Sequence, residues 1–399
     1  MKIIIKLSVL FLALCFFNGS VFSQIKTNHR KCATVEVMDS IFKSNPEMKI
    51  QNETMQKFID QYIKKQNGNS LKSIIYIPLV FHIVLSPSQH ASFPDSRITE
   101  QVAALNRDFS GQNPHSMGPF PANLKANTNI QFYIASVDAN GNPTTGIERR
   151  DYTGAQWAIN PGVKHYADGG LDSWPTATYL NFWVADLGNG LCGYSLMPAG
   201  AATNPEYGLV IHYEYTGITG AVAPFDNGSQ ATHEMAHCFN VSHIWGDSQG
   251  CTPDDGCNDT PPQDLETYGT PSSPLYDACT SSGNGIMFMN FMDYVDDIVY
   301  ANFTPDQATR MQACFAPGGP LQTLVQSQQI NLANAGEDVY TCNQLSASLN
   351  AILNVGDNNY HWLPQTGTIC FWPRYSTCTY SFTLRMAFKT LVFDHPPGL

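Results

Sequence analysis

Three histidines and one glutamate lie close together in residues 233–245, which read His-Glu-Met-Ala-His-Cys-Phe-Asn-Val-Ser-His-Ile-Trp. In a helix, His233 and His237 are four positions apart and project from the same face. Two imidazoles on one face can supply two ligands of a tetrahedral zinc site. Glu234 lies one step around the helix, where its carboxylate can take a proton from a water on the metal and later deliver it to a leaving amine.

His243 can supply a third imidazole only if the chain leaves the helix, because it follows His237 by six residues. The chain must bend near Asn240, and asparagine is, after glycine, among the residue types that best tolerate the left-handed conformation. Three histidines, an open fourth position and an adjacent glutamate describe a hydrolytic zinc site. The alternative is a chance His-Glu-x-x-His on a buried helix, against which the third histidine argues.

This pattern resembles the extended zinc motif of the metzincin metallopeptidases, and Asn240 with the following Ser-His-Ile-Trp-Gly-Asp is similar to the pappalysin branch. The resemblance covers roughly residues 74–315. It implies an α+β fold, in which a mixed twisted sheet with a backing helix and the zinc-binding helix precedes a C-terminal subdomain with a Met-turn. It also implies that Met292 lies beneath the zinc as a structural residue. Tyr294 would lie near the metal, where its hydroxyl could donate to a developing oxyanion.

The chain divides into four segments by composition and pattern. Residues 1–23 have a basic start, an apolar run and a small-residue cleavage site, which is typical of a secretory signal peptide. We expect a propeptide at 24–72, the zinc peptidase domain at 73–316 and an incomplete immunoglobulin-like or disordered tail at 317–399.

The formal net charge of −12 argues against nucleic acid as a partner. No later apolar run is long enough to span a membrane, so we expect a secreted, extracellular monomer.

The propeptide segment contains one cysteine beside a recognisable motif. Lys31-Cys32-Ala33-Thr34 resembles the Arg-Cys-Gly-Thr element of propeptides in the pappalysin branch, with alanine in place of glycine. The Cys32 thiolate could occupy the fourth zinc position and keep the enzyme latent. The alternative is an incidental cysteine. Lys64-Lys65 is a candidate activation site, because it precedes a polar stretch.

Residues 74–213 predict a strand, a helix and four further strands before the zinc helix. In the family, the substrate adds to an edge strand of this sheet, and we assign that role to residues 192–197. The predicted ranges are 74–85, 130–137, 179–185, 193–197 and 209–213 for the strands and 98–109 for the amphipathic helix.

The loop after the zinc motif is rich in turn-forming residues and carboxylates. Asp254, Asp255 and Asp259 are candidate calcium ligands, since Ca²⁺ prefers oxygen donors and calcium is common in this branch. A solvated acidic loop is the alternative. Cys251 and Cys279 flank this region, and we expect them to form a disulfide in an oxidising compartment.

In metzincins the chain just after the Met-turn forms a wall of the pocket for the side chain that follows the scissile bond. The resemblance implies this role for Tyr294-Val295-Asp296-Asp297. A carboxylate in this wall would favour arginine, then lysine. Both aspartates could instead face solvent or a calcium ion.

The sequence therefore predicts a secreted zinc endopeptidase that is made as a zymogen and acts on protein or peptide substrates. A different class of protein remains as the alternative: a non-catalytic surface or adhesion protein with a structural metal site. A closed structural site would need a fourth protein ligand and would have no use for Glu234.

Overall fold

A computed structural model describes residues 32–66, 74–188, 190–252 and 254–326, together with the backbone of short strands between 333 and 394. The predicted signal peptide and the first residues of the predicted propeptide lie outside the described residues. Among the helices that are described, none combines the length and the apolar character needed to cross a bilayer.

The centre of the fold is a twisted, mostly parallel sheet. Its strands are β1 Ile75–Leu85, β2 Ile130–Ile134, β3 Ile147–Asp151, β4 Leu180–Ala185, β5 Gly193–Ser195 and β6 Gly208–His212. The strand order is β2-β1-β4-β6-β5, and β3 pairs with the second half of β1 beyond the end of β2. Strand β5 is antiparallel to β6 and lies at the edge of the sheet.

Burial explains why β1 reads as a continuous apolar run. A parallel strand in the middle of a sheet is covered on both faces, so polar and apolar residues need not alternate. Ten of its eleven residues are buried. Helix α4, Asp95–Phe109, packs across the sheet through one apolar face that includes Ile98 and Leu105, and the short helix α3, Pro87–Ala91, precedes it. This arrangement agrees with the predicted strand-helix-strand pattern.

Two helices precede the sheet, α1 Thr34–Ser44 and α2 Pro46–Gln66. Buried residues of this segment, among them Met38 and Ile59, belong to the same apolar cluster as the core of the sheet. The segment therefore packs on the following domain instead of forming a core of its own. Lys64 and Lys65 are exposed, but they lie in the last turn of α2.

The part after the sheet is mostly loops around few elements. The zinc-motif helix α5, Ser229–Cys238, is followed by a parallel pair of short strands, β7 Tyr268–Gly269 and β8 Tyr294–Val295. Helix α6, Pro305–Phe315, begins with a capping box in which the Thr304 side chain accepts from Gln307 N. The predicted Cys251–Cys279 disulfide is present. The remaining helical elements are α7 Gln322–Gln326 and the 3₁₀ turns Ala122–Leu124, Pro161–Lys164, Tyr166–Asp168, Ala201–Thr203 and Tyr213–Tyr215.

The C-terminal region contains short antiparallel strand pairs. The strands are β9 Ala333–Asn334, β10 Val339–Thr341, β11 Ile352–Leu353, β12 Tyr380–Ala387 and β13 Thr390–Asp394. β12 pairs with β10 and β13, and β9 pairs with β11. Much of this region lies outside the described residues, so the incomplete immunoglobulin-like tail stays a prediction.

Candidate metal centre and active site

A distant carboxylate holds the N-terminus of helix α5. Gly228 precedes the helix with φ 75°. The Asp297 carboxylate accepts hydrogen bonds from the main-chain N–H groups of Asn227 (2.9 Å) and Ser229 (3.2 Å) and from Gln230 Nε2 (2.6 Å). A negative charge here pairs N–H groups that the helix leaves unpaired, and it interacts favourably with the helix dipole. Asp297 therefore positions the helix that carries the first two histidines.

The predicted bend occurs at Asn240. Its φ is 65°, in the left-handed region, and its main-chain N–H donates to His237 O at 3.0 Å. The N–H of Val241 donates back to Ala236 O at 3.1 Å, so the helix ends within one turn of His237. This bend brings His243 back towards the first two histidines.

The same bend contacts the N-terminal helix α2. Gln56 Nε2 donates to Asn240 Oδ1 at 2.6 Å, and Arg310 of α6 donates from Nη2 to Gln56 Oε1 at 2.6 Å. Arg310 Nε also donates to Asn240 O at 3.0 Å. Two residues from separate segments, Gln56 and Arg310, therefore fix the turn that leads to His243.

The three histidines form a buried triangle. The Nε2 atoms of His233, His237 and His243 are each 3.1 Å from the other two. His233 Nδ1 donates to Phe291 O at 2.6 Å, and His237 Nδ1 donates to Val241 O at 2.7 Å. A carbonyl oxygen can only accept, so Nδ1 carries the proton in both rings and each Nε2 presents a lone pair.

His243 is oriented by two residues that follow it. Its Nδ1 donates to the Asp247 carboxylate, and its ring stacks on Trp245 with the centroids 4.4 Å apart. A carboxylate behind a histidine fixes its tautomer and makes the ligating nitrogen more basic. Asp247 was not selected from the sequence, although it is the last residue of the quoted Ser-His-Ile-Trp-Gly-Asp stretch.

These histidines fit zinc. Three converging lone pairs at 3.1 Å would repel one another unless a cation lay between them, and imidazole nitrogens at Zn–N distances of about 2.0–2.1 Å span a triangle of similar size. The Cys32 thiol joins the group: one ligand atom from each of the four side chains lies within 4.8 Å of every other. No second such group of His, Cys, Asp or Glu occurs among the described residues.

Glu234 is fully buried beside this group. Its Oε2 accepts from Thr34 Oγ1 at 2.9 Å and lies 3.3 Å from Ser195 Oγ of strand β5. The main-chain N–H of Ser195 donates to Thr34 Oγ1 at 2.9 Å. Sequence reasoning missed Thr34 and Ser195. Thr34 lies in the quoted Lys-Cys-Ala-Thr motif, whereas no local pattern marks Ser195.

The segment that contains Met292 supports the histidines through its main chain. Phe291 O accepts from His233, and the N–H of Ile244 donates to Met292 O at 3.3 Å. Met292 itself is fully buried, and its N–H donates to Asn290 Oδ1 at 3.0 Å. This tight turn therefore connects to both ends of the zinc motif.

Tyr294 lies over the metal centre. Its ring centroid is 5.0 Å from that of His243 and 4.8 Å from that of Trp245. Its hydroxyl donates to Cys32 O at 3.4 Å. Residues 32–34 of the N-terminal segment therefore contact the Tyr294 hydroxyl, the Glu234 carboxylate and the three histidines.

The candidate calcium ligands do not come together as a group of three. Asp255 is buried, and its Oδ1 accepts from Cys257 N (3.0 Å) and Thr260 Oγ1 (2.8 Å). Asp254 accepts from the N–H of Gly256 two residues later, and Asp259 accepts from Asp306 N at 2.8 Å. Burial raises the pKa of Asp255 to about 7. A calcium site at this loop stays a prediction.

The two aspartates of the predicted pocket wall have different environments. Asp297 is buried, and its carboxylate lies at the N-terminus of α5. The expectation that the Asp297 carboxylate faces the pocket, solvent or a calcium ion is therefore wrong, because it accepts from the main-chain N–H groups of Asn227 and Ser229. Asp296 is partly buried, which raises the pKa of its carboxyl, and its N–H donates to Gly269 O at 3.0 Å.

Comparison with known proteins agrees with this geometry. Residues 168–316 match the peptidase family described as pregnancy-associated plasma protein-A. A solved structure of a Tannerella forsythia promirolysin mutant is 33% identical, with a TM-score of 0.67, and the match covers 75% of this chain and 99% of that chain. The chain belongs to the pappalysin family of metallopeptidases. It is a zinc metalloendopeptidase, and its α+β fold resembles the metzincin domains of these relatives.

Further relatives extend the comparison. This pappalysin is 36% identical to Tannerella forsythia mature mirolysin in complex with a cleaved peptide, with a TM-score of 0.61 over 65% of this chain and 98% of that chain. It is 28% identical over 322 residues to an extracellular metalloprotease of Uncinocarpus reesii, which covers 77% of this chain and 96% of that protein. A protein with the same name from Arthroderma benhamiae is 28% identical over 57% of this chain and 73% of its own length.

Proposed function

We propose that this pappalysin is secreted as a zymogen and hydrolyses extracellular proteins with Glu234 as general base. The observation that carries the proposal is a buried carboxylate one residue from the first of three imidazoles whose Nε2 atoms converge at 3.1 Å. A structural site has no need of such a carboxylate.

Each residue of the site then has a defined task. Zinc held by His233, His237 and His243 would polarise the scissile carbonyl and lower the pKa of the attacking water. Glu234 takes the proton of that water and delivers it to the leaving amine. The Tyr294 hydroxyl donates to the oxygen on which negative charge develops. Burial strengthens both interactions, because the surroundings screen charge less than water does.

The substrate would bind as an extended chain along strand β5. This strand is short, lies at the edge of the sheet and begins beside Glu234. The N-terminal segment supports the proposal because it already pairs there, with Ala33 N donating to Gly193 O at 3.0 Å. Main-chain pairing of this kind accepts many sequences, and side-chain pockets then select among them.

The decisive experiment measures casein hydrolysis by the activated protein, with and without a zinc chelator. Glu234→Ala should keep about one zinc per chain and lose activity at least hundredfold, the range expected for the loss of a general base. Activity that survives in zinc-loaded Glu234→Ala would contradict the mechanism. Activity that survives complete zinc removal would contradict the metal's role.

In our proposal, latency depends on contacts of the N-terminal segment with the metal site, the base and Tyr294. Cys32 offers its thiol to the histidines, and Thr34 donates to Glu234, so the metal and the base are engaged together. The Cys32 carbonyl also accepts from Tyr294. A substrate cannot reach the site while this segment is bound.

The latency proposal is tested by comparing the Cys32→Ala, Thr34→Val and double variants of the precursor. We expect Cys32→Ala to self-process sooner than the parent and the double variant sooner still, because Thr34 holds Glu234 independently of the thiol. Thr34→Val keeps the shape of the side chain and removes only the hydroxyl. Identical latency in all four proteins would mean that the helical segment inhibits by occlusion alone.

For specificity we propose that Asp296 favours arginine, then lysine, immediately after the cut. Its partly buried carboxyl could make a paired, charge-assisted contact with a guanidinium. The test is the profile of cut sites in a digested proteome for the parent and for Asp296→Asn. Apolar residues dominating that position in the parent would contradict this assignment.

Export and processing complete the proposal, with segments at 1–23, 24–72, 73–316 and 317–399 as signal, propeptide, peptidase domain and tail. Relatives named extracellular metalloproteases support secretion. N-terminal sequencing of the protein recovered outside the cell should give Gln24 in the precursor and a start near Lys65 after activation. A precursor that retains residues 1–23 would contradict cleavage of the signal.

A further inference from the structure

We propose that Ser195 is a positioning residue for Glu234. Its hydroxyl would hold one carboxylate oxygen so that the other is presented for proton transfer. This inference deepens the proposed function, because it requires Glu234 to be the base.

Strand β5 presents a specific face to the zinc helix. Side chains alternate along a strand, so Gly193 and Ser195 point to one side and Tyr194 to the other. Tyr194 packs in a separate apolar cluster with Trp183. On the opposite face, a Cβ at Gly193 would lie 3.0 Å from Glu234 Cγ. The strand therefore has only a hydrogen at 193 and a short hydroxyl at 195 where it meets the base.

The Ser195 hydroxyl is buried and directed at the carboxylate. Ser195 Oγ lies 3.3 Å from Glu234 Oε2, and the residue is fully buried. An ionised carboxylate can only accept, so the serine hydroxyl is the donor in this contact.

Two hydroxyls lie near the Glu234 carboxylate, and only that of Ser195 belongs to the peptidase domain. Thr34 Oγ1 lies 2.9 Å from the same Glu234 Oε2 and 3.1 Å from Ser195 Oγ. When residues 24–72 leave, as the zymogen proposal requires, the Thr34 donor leaves with them. Ser195 remains and is the donor of this pair that the active enzyme retains.

Losing this donor should affect the chemical step more than substrate binding. A carboxylate without the Ser195 contact can rotate, and a smaller fraction of molecules then presents the oxygen in reach of the proton. For activated Ser195→Ala we expect kcat to fall about tenfold, the effect of one hydrogen bond to a charged group, with KM changed by less than twofold. Ser195→Thr, which retains a hydroxyl, should recover kcat to within about threefold of the parent.

Four measurements separate positioning from a structural role. Zinc content and Tm of Ser195→Ala should stay near those of the parent. Thr216→Val is the matched control, because it removes another buried hydroxyl, which hydrogen bonds His212 O at 3.1 Å, and it should leave kcat unchanged. In a Glu234→Ala background, adding Ser195→Ala should not lower the residual rate further.

The outcomes are distinct. An unchanged kcat in Ser195→Ala, a loss confined to KM, or an undiminished loss in the Glu234→Ala background would overturn the assignment of Ser195. If Glu234→Ala itself remains active, the proposed mechanism fails first. If Glu234→Ala is inactive and Ser195→Ala behaves as the parent, only the positioning role fails.

Discussion

The metal centre contains three histidines and the acidic loop at residues 254–259 contains three aspartates, yet only the histidines converge. In the centre, the Nδ1 atoms of His233 and His237 donate to main-chain carbonyls, and the Nε2 atoms of all three histidines face one another. In the loop, the carboxylates of Asp254, Asp255 and Asp259 accept from main-chain N–H groups.

The difference lies in what surrounds the ligands. A histidine has two nitrogens, so one can be fixed by the protein while the other remains for a metal. A loop aspartate that pairs with N–H groups of its own turn stabilises the loop conformation first. Three carboxylates close in sequence therefore do not by themselves make a site.

The largest effect is expected on zinc retention, which should depend on the metal centre and not on the acidic loop. His243→Ala removes one corner of the triangle, so we expect zinc affinity to fall by more than the 10–100-fold typical of losing an outer partner of a ligand. Zinc per chain after dialysis is the measurement, and His165→Ala, a partly exposed histidine paired with Glu206, is the control. Full zinc retention in His243→Ala would place the metal elsewhere.

Asp247→Ala should also lower the affinity for zinc, but by less than His243→Ala does. Its carboxylate accepts from His243 Nδ1, and the loss of such a partner typically lowers metal affinity by about 10–100-fold. Competition with a zinc-binding dye gives the affinity. Ser248→Ala changes the next residue, which is exposed, and should have no effect. If both variants bind zinc like the parent, Asp247 does not support His243.

The smallest effect is expected in the acidic loop, and it depends on pH. The folded protein raises the pKa of Asp255 from 3.8 to about 7 through burial. The folded state therefore holds this proton more tightly than the unfolded state, and stability falls as pH rises from about 4 to about 7. Asp255→Asn removes the charge, so its Tm should exceed that of the parent at pH 8, and the difference should shrink at pH 5.

The expected Tm difference is a few degrees, and the controls use a neighbouring aspartate and added Ca²⁺. A gain of about 1 kcal/mol corresponds to about 2–4 °C in a domain of this size. Asp254→Asn alters an exposed carboxylate and should leave Tm unchanged. The parent is measured with and without Ca²⁺. A calcium-dependent rise in parent Tm that Asp255→Asn abolishes would show that the loop does bind a cation.

The sequence was informative where structure is local. The spacing of His233, His237 and His243 predicts a helix, a bend and a third ligand, and the bend at Asn240 is present with φ 65°. Strand β1 and helix α4 also follow their apolar patterns. The edge strand is shorter than expected, Gly193–Ser195 against the predicted 193–197.

Features that depend on distant pairing could not be predicted. Strand β3, Ile-Glu-Arg-Arg-Asp, was missed because four of its five residues are charged and none is fully buried, and the strand pairs with β1. The helix anchor Asp297 and the base contacts Thr34 and Ser195 come from segments far from α5 in sequence. Neither the periodicity of apolar residues nor the spacing of a local motif predicts contacts between segments that are far apart in sequence.

The contact between Gln56 and Asn240 has a thermodynamic consequence. Helix α2 and the bound metal both depend on one conformation of the turn between His237 and His243. Two binding equilibria that share an element are coupled reciprocally, so each strengthens the other by the same factor. Zinc should therefore raise the affinity of the domain for the cleaved N-terminal helices. Release of those helices should lower the affinity for zinc by the same factor.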